Sequence, residues 1–483
     1  MAFRIDRVST PSGSFELKQK ESGDRNRTTI VIGANGTGKS RFLAALVCQF
    51  TNKRSQNDDY INGIVATNIS GFVSRPKKVI AQTFSPFSRF PREHSTTRRL
   101  EQYVSDDDDL YAAIGFTKNY GLYGSVSKDA VGRILRKLYV TPEQASPLGH
   151  AMVELGFEPE IQLQYARSPS VSSLTFHEPD HKKLRESVKK SLIEVNQRRS
   201  VGPEVNKLRR EIGDNPTDQI IDRITDSILT LQRLTPKRAP RRPSLTYELT
   251  VNLWDQLDNR TNEALGALVS LTRLGLLRLS DCVITRNVDK EENHLSAEMS
   301  TKIDMTDASS GEQQLLSCLF SVVAESRDHS LILIDEPELS LHPAWQTQFL
   351  DLLTVVTNQY TGCHIFVATH SPLLAQRALE LDFDVLQLGE PSIGRDFSRS
   401  KSASVESTLF ENFRVPVRGS NYVARLILSL VMKAEETPAR ANEIEKRLKE
   451  IKDIYEVAPI PDKAIMDLVH DALDIVGNMT EQG

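Results

Sequence analysis

The octet Gly33-Ala34-Asn35-Gly36-Thr37-Gly38-Lys39-Ser40 follows the apolar run Thr29-Ile30-Val31-Ile32 and leads into a helix-like stretch from Arg41 to Phe50. A chain built this way is committed to a strand, a tight glycine loop and a helix in immediate succession. The glycines let consecutive backbone N–H groups turn inward around an anion, and the helix N-terminus adds its partial positive charge. In such a phosphate-binding loop Lys39 reaches the β- and γ-phosphates of a nucleotide and Ser40 offers its hydroxyl to Mg²⁺. Asn35, Gly36, Thr37 and Gly38 form the rest of the cradle. A flexible glycine turn explains the glycines alone, not the strand before them or the Lys-Ser pair after.

Other segments make sense beside this loop. Leu331-Ile332-Leu333-Ile334 has the continuous apolar pattern of a strand buried on both faces, and it ends in Asp335-Glu336-Pro337-Glu338. An aspartate there can hold the Mg²⁺ shell, and a neighbouring glutamate can orient and polarise an attacking water. Taken alone, the same residues read equally as a strand running into an acidic turn. Asp307-Ala308-Ser309-Ser310-Gly311-Glu312-Gln313-Gln314 precedes a helical pattern through Leu315, Leu316, Leu319, Phe320 and Val323. Ser310 with Gln313, or Ser309 with Glu312, has the spacing of a capping box, and a capped helix start is also an anion site. The strand-like run His364 to Ala368 ends at Thr369-His370-Ser371-Pro372, and Gln82 follows the shorter run Lys78-Val79-Ile80-Ala81.

In this order the segments resemble ABC-class ATPases of the SMC, RecF and OLD-like branch. The resemblance covers residues 1–90 and 265–390 and implies an α/β ATPase head with a mainly parallel central sheet. It implies that Ser310, Gly311 and Gln313 form a signature motif that binds the γ-phosphate held on a partner's loop, so that two chains sandwich ATP head to tail. It further implies that Glu336 acts on the water, that His370 senses the γ-phosphate, that Glu338 to Pro343 form the loop linking two sites, and that Gln82 lies near Mg²⁺. Ser309 and Glu312 stand where the common signature has leucine and glycine, which fits this branch better than transporters. The chain also looks like the stand-alone ATPases of bacterial anti-phage systems: Septu (PtuA-type) foremost, then retron-associated and PARIS (AriA-type) relatives. That implies an ATP-hydrolysing sensor or scaffold that controls a separate nuclease, an HNH enzyme in the Septu case. A RecF-like repair ATPase that binds DNA directly is the alternative.

With 483 residues the chain exceeds a single ordinary core. Beyond the ATPase core, residues 91–264 read as a mainly helical insertion and 391–483 as a helical C-terminal module for partners or oligomerisation. The insertion opens near Arg89, Arg92, Arg98 and Arg99 and passes the acid run Asp106 to Asp109. From 182 to 242 sixteen Lys or Arg stand against eight Asp or Glu, a net of +8 on a chain of net charge −4. This region, with its loop Pro236 to Pro243, reads either as a DNA or RNA backbone contact or as a solvated basic face. Stripes at Leu184, Val188, Leu192 and Val195 and at Ile220, Ile224 and Ile228 have helical spacing, as do three stripes after Ser420. Ser392 to Ser407 reads as a Ser-rich loop. Glu380, Asp382 and Asp384 are too crowded for the separated carboxylates of an OLD-type nuclease, so a structural acidic turn is expected there. No apolar run is long enough for a membrane span, no signal-peptide pattern opens the sequence, and a cytoplasmic protein is expected. The four cysteines are widely spaced and read as small buried hydrophobes.

Overall fold

A six-stranded, wholly parallel sheet organises the head, in the order β13-β3-β12-β11-β5-β6. Its strands are β3 (Arg27–Ile32), β5 (Lys78–Thr83), β6 (Tyr111–Gly115), β11 (Ser330–Asp335), β12 (His364–Ala368) and β13 (Asp384–Gln387). The computed structural model describes residues 3–10, 13–17, 24–33, 35–51, 68–72, 74–85, 88–91, 110–115, 123–168, 174, 176, 178–197, 216–234, 245–254, 256–287, 301–388, 404–456 and 462–481. Strands β5, β11 and β12 are buried at every position, as expected of parallel strands covered on both faces.

Alternation along the strands divides the core in two. Val31, Val79, Ala81, Leu331, Leu333 and Phe366 face α1 (Lys39–Thr51), which contributes Phe42, Leu43, Leu46 and Val47. Ile30, Ile32, Ile80, Ile332, Ile334 and Val367 face the opposite side. That side is covered by α2 (Tyr123–Val140), α3 (Ser146–Glu154) and the long buried helix α7 (Ser310–Glu325). Arg133 and Lys78 both reach Glu325, at 2.7 and 3.4 Å, and so tie α2, β5 and the end of α7 together. A small antiparallel sheet, β2-β1-β4, is made by β1 (Ile5–Thr10), β2 (Gly13–Glu16) and β4 (Asn68–Phe72).

Most of the described residues of the interval 91–264 are helical, but the interval also supplies strands to two sheets. Its β6 completes the parallel sheet. Its β7 (Phe157–Arg167) and β8 (Leu245–Asn252) join β9 (Leu277–Arg286) and β10 (Thr301–Asp304) in an antiparallel sheet ordered β10-β9-β7-β8. The expected helical stripes are core: Leu184, Val188, Leu192 and Val195 are buried on α4 (His181–Gln197), and Ile224 and Ile228 on α5 (Asp218–Leu234). Helix α6 (Asn259–Arg273) lies beside them. Arg92, Arg98, Arg99, the acid run, the loop 236–243 and residues 392–403 lie outside the described residues.

Helices α8 (Pro343–Thr357) and α9 (Pro372–Glu380) follow β11 and β12. Beyond the head come α10 (Val405–Phe413), α11 (Asn421–Glu436), α12 (Ala441–Glu456) and α13 (Lys463–Glu481). They share a separate core of Phe410, Val423, Ile427, Leu448, Ile451, Tyr455, Val469 and Val476. Ser420 caps α11 by accepting from the Val423 N–H. Cys282, Cys318 and Cys363 are buried, Cys48 is half-buried, and all four are free thiols. Among the described residues no helix is long and apolar enough to cross a membrane.

Candidate functional site

The loop after β3 turns through Gly36 and Gly38 at φ 83° and 94°, a region open to glycine at little cost. Among the described residues, no heavy atom beyond the chain neighbours lies within 4 Å of where a Cβ would stand at either position. Asn35 is exposed, Thr37 half-buried and Lys39 buried. The loop continues without a break into α1, which directs Lys39 and Ser40 toward the carboxyl ends of β11 and β12, where open α/β sheets bind ligands. The Lys39 ammonium donates to the Gly33 carbonyl at 2.8 Å and meets His370 Nδ1 at 3.1 Å. The Ser40 hydroxyl donates to Asp335 at 3.0 Å. His370 Nε2 lies 3.8 Å from the Glu336 carboxylate.

Glu336 carries a left-handed backbone, φ 52°, uncommon for a residue with a Cβ. Its N–H is held by the Ala368 carbonyl at 2.9 Å, so the turn after β11 is fixed by the neighbouring strand. Such strain persists where the surroundings over-determine it, commonly at functional sites. Glu338, two residues on, accepts from the His370 backbone N–H at 2.5 Å. The resemblance places this residue in the loop up to Pro343; in the fold its carboxylate secures the histidine turn. The third acid of Asp335-Glu336-Pro337-Glu338 was the available signal.

Burial governs the charges. It pushes the Asp335 carboxyl up to about 7, against the Ser40 hydrogen bond, and the nearby Glu336 and Glu338 charges push the same way. Burial also raises Glu338. It lowers the Lys39 ammonium to about 8 despite the three carboxylates around it. Burial and then Lys39 lower His370 to about 4, so its imidazole is neutral at pH 7 and accepts from the ammonium. His364, six residues earlier, differs. It is fully buried, accepts from the Ile5 N–H at 3.2 Å and pairs with Thr29 at 3.0 Å, a structural histidine of β12.

At the start of α7 the capping box forms in the Ser309 and Glu312 register, not that of Ser310 and Gln313. Ser309 Oγ accepts from the Glu312 N–H, and Glu312 accepts from the Ser309 N–H at 2.8 Å. Arg286, at the end of β9, pairs with the other Glu312 oxygen, so the antiparallel sheet reaches the capped helix. Ser310 is therefore the first helical residue, and it is exposed. The Gln313 amide is turned into its own chain, donating to the Thr306 and Ala308 carbonyls at 2.8 and 2.7 Å. Helix α7 lies on the sheet face opposite α1, so a single chain keeps Ser310 and Gly311 apart from its own phosphate-loop helix.

Gly311 is closely packed. A Cβ there would stand 2.7 Å from the Ser340 carbonyl and 3.0 Å from the Trp345 ring. Gly311→Ala is expected to destabilise the chain by about 1–3 kcal/mol, since a backbone carbonyl must move. Urea unfolding followed by circular dichroism measures it.

The expected place of Gln82 beside Mg²⁺ is not what the register gives. Gln82 is opposite Ile334 and Thr83 is opposite Asp335. Side chains alternate along a strand, so Gln82 points with Ile80 toward α2 and α7, away from Ser40 and Asp335. Among the described residues no three His, Cys, Asp or Glu side chains form a metal cage. The Ser40 and Asp335 oxygens still fit Mg²⁺, which takes one or two protein ligands and draws the rest from phosphate and water. Glu380 and Asp384 are engaged by Arg377 and Arg27 at 2.8 Å each. On the basic face, Arg185 is paired with Asp218 and Asp222 at 2.7 and 2.6 Å.

Residues 159–375 match the family described as "AAA domain, putative AbiEii toxin, Type IV TA system". The interval contains Ser310, Asp335, Glu336 and His370 but not the loop at 33–40. The match supports an ABC/AAA-like ATPase family and, in general terms, nucleotide binding and ATPase activity. No curated protein matches the chain.

Proposed function

We propose that this chain is an ATP-binding and hydrolysing ABC-class ATPase serving as the sensor or scaffold subunit of a bacterial anti-phage complex, in which it controls a separate nuclease of the Septu HNH kind. The observation that carries the catalytic half is the bonded cluster of Lys39, Ser40, Asp335, Glu336 and His370 around one loop. The description of the matched family as a toxin of a toxin–antitoxin system supports the defence half.

Bound Mg²⁺ would be held by Ser40 and Asp335 and would screen the phosphate charge. Lys39 meets the phosphates, and the amides from Asn35 to Ser40 line their cradle. Glu336 orients and polarises the attacking water, taking its proton as the bond forms. His370, neutral and joined to both Lys39 and Glu336, senses the γ-phosphate. Ser310 and Gly311 serve the site of a second copy, because α7 presents them on the other face of the sheet. The dimer is then a head-to-tail sandwich.

Lys39→Ala is expected to weaken Mg-nucleotide binding by about 10- to 100-fold, the cost of one hydrogen-bonded charge on the phosphates. Isothermal titration calorimetry reads it, and an unchanged Kd would remove Lys39 from the site. For the defence role, cells carrying this gene with its genomic neighbours should restrict phage plating, and the Lys39→Ala version should not. Restriction by this chain alone would overturn the need for a separate effector.

A further inference from the structure

The head contains a second cluster of polar groups, apart from the phosphate loop. Between β5, β6, α2 and α7 lies a cavity of about 20 Å³, lined among others by Gln82, Thr83, Ser127, Gln313, Gln314 and Ser317. Gln82, Gln313 and Gln314 are only 3%, 8% and 8% exposed. Among the described residues, each leaves its carboxamide oxygen buried with no hydrogen-bond partner. A buried oxygen left unmet is destabilising, and these three belong to residues that line one cavity. The orientation of Gln313 is not interchangeable, because its nitrogen already donates to two carbonyls. Ser317 donates to Ser127 at 3.2 Å, which leaves the Ser317 oxygen lone pairs free to serve a further group.

Size and chemistry restrict the occupant. A water needs about 10–15 Å³ of such space, so the cavity takes one small species. A single water has two protons and cannot meet three acceptors, whereas a cation meets them all at once. Among the described residues no carboxylate lines the cavity; Mg²⁺ and Ca²⁺ sites draw on carboxylates or phosphates. Neutral carbonyl-type oxygens are instead the ligands that replace the hydration shell of K⁺. We propose that this cleft binds one potassium-sized alkali cation through the side-chain oxygens of Gln82, Gln313 and Gln314. The ion joins the end of β5 to the first turns of α7, and its binding is independent of the nucleotide reading above.

Thallium(I), a K⁺-sized ion with strong anomalous scattering, is the direct probe. Crystals of the nucleotide-free full chain soaked in thallium(I) acetate should show an anomalous peak in the cleft that is absent from Gln314→Met. In solution, KCl in place of N-methyl-D-glucamine chloride at equal ionic strength should raise the wild-type Tm by about 2 °C or more. Gln314→Met should lose that increment. Ser317→Ala, a smaller change, should reduce it and stands in where Gln314→Met does not fold. A water without anomalous signal overturns the proposal. So does a Gln314→Met protein that is more stable than wild type in both salts, the behaviour of a buried oxygen freed of its desolvation cost.

Discussion

Glu336→Gln hydrolyses ATP about 10²- to 10⁴-fold more slowly than the wild type while still binding it, the range lost when a positioned general base is removed. The substitution is close to isosteric, so the left-handed turn at φ 52° and its hydrogen bond to Ala368 are kept. What disappears is the charge, and with it the ability to take a proton from water and to lie as an anion 3.8 Å from His370. Lys39 and Ser40 are untouched, so affinity for nucleotide is retained and differs in this from Lys39→Ala. If Ser310 and Gly311 complete the site of a second copy, slow turnover should also let the sandwich accumulate. Phosphate release measures the first effect, and light scattering with Mg-ATP measures the second. Turnover at the wild-type rate would take Glu336 out of the mechanism, whereas slow turnover without any rise in mass would leave Glu336 in place and remove the sandwich.

The parts of this site that were legible in the sequence are those whose chemistry is local. Gly36, Gly38, Lys39 and Ser40 lie within one turn of chain, and β11 and β12 are continuous apolar runs because helices cover both their faces. The strands of the antiparallel sheet were not legible, for a physical reason. In β7 buried Ile161, Leu163 and Tyr165 alternate with Glu160, Gln162 and Gln164, and the interval around it is dominated by helical stripes. Nor was β6, five residues whose burial depends on β5 at its side. The face taken by Gln82 follows from alternation with Ile80, but which helices cover that face is a tertiary fact. The register of the cap on α7 was open between two serines, and Arg286, from a distant strand, pairs with Glu312 of the register that forms.

Asp335→Asn should make the nucleotide-free chain more stable and inactive at once. Asp335 is 3% exposed, and burial moves its carboxyl from an ordinary 3.8 up to about 7. A carboxyl with a higher pKa folded than unfolded takes up a proton on folding, so folding is favoured at low pH and the advantage fades as pH rises. The cost of the ionised form is thus absent below about pH 4, grows between about 4 and 7, and is complete above that. Asparagine keeps an oxygen for the Ser40 hydroxyl and carries no charge. The gain at pH 8 should be about 1–3 kcal/mol, less than the full shift implies because the buried asparagine N–H groups bring a desolvation cost of their own. At pH 4 the two proteins should unfold at nearly the same urea concentration. In EDTA-containing buffer, a variant no more stable than wild type at pH 8 would show that the carboxylate is already well compensated within the chain. The same substitution removes the anionic oxygen that Mg²⁺ prefers, so Mg-dependent hydrolysis should fall to background. Stability gained and activity lost at one residue is the pattern of a site kept charged for its ligand rather than for its fold.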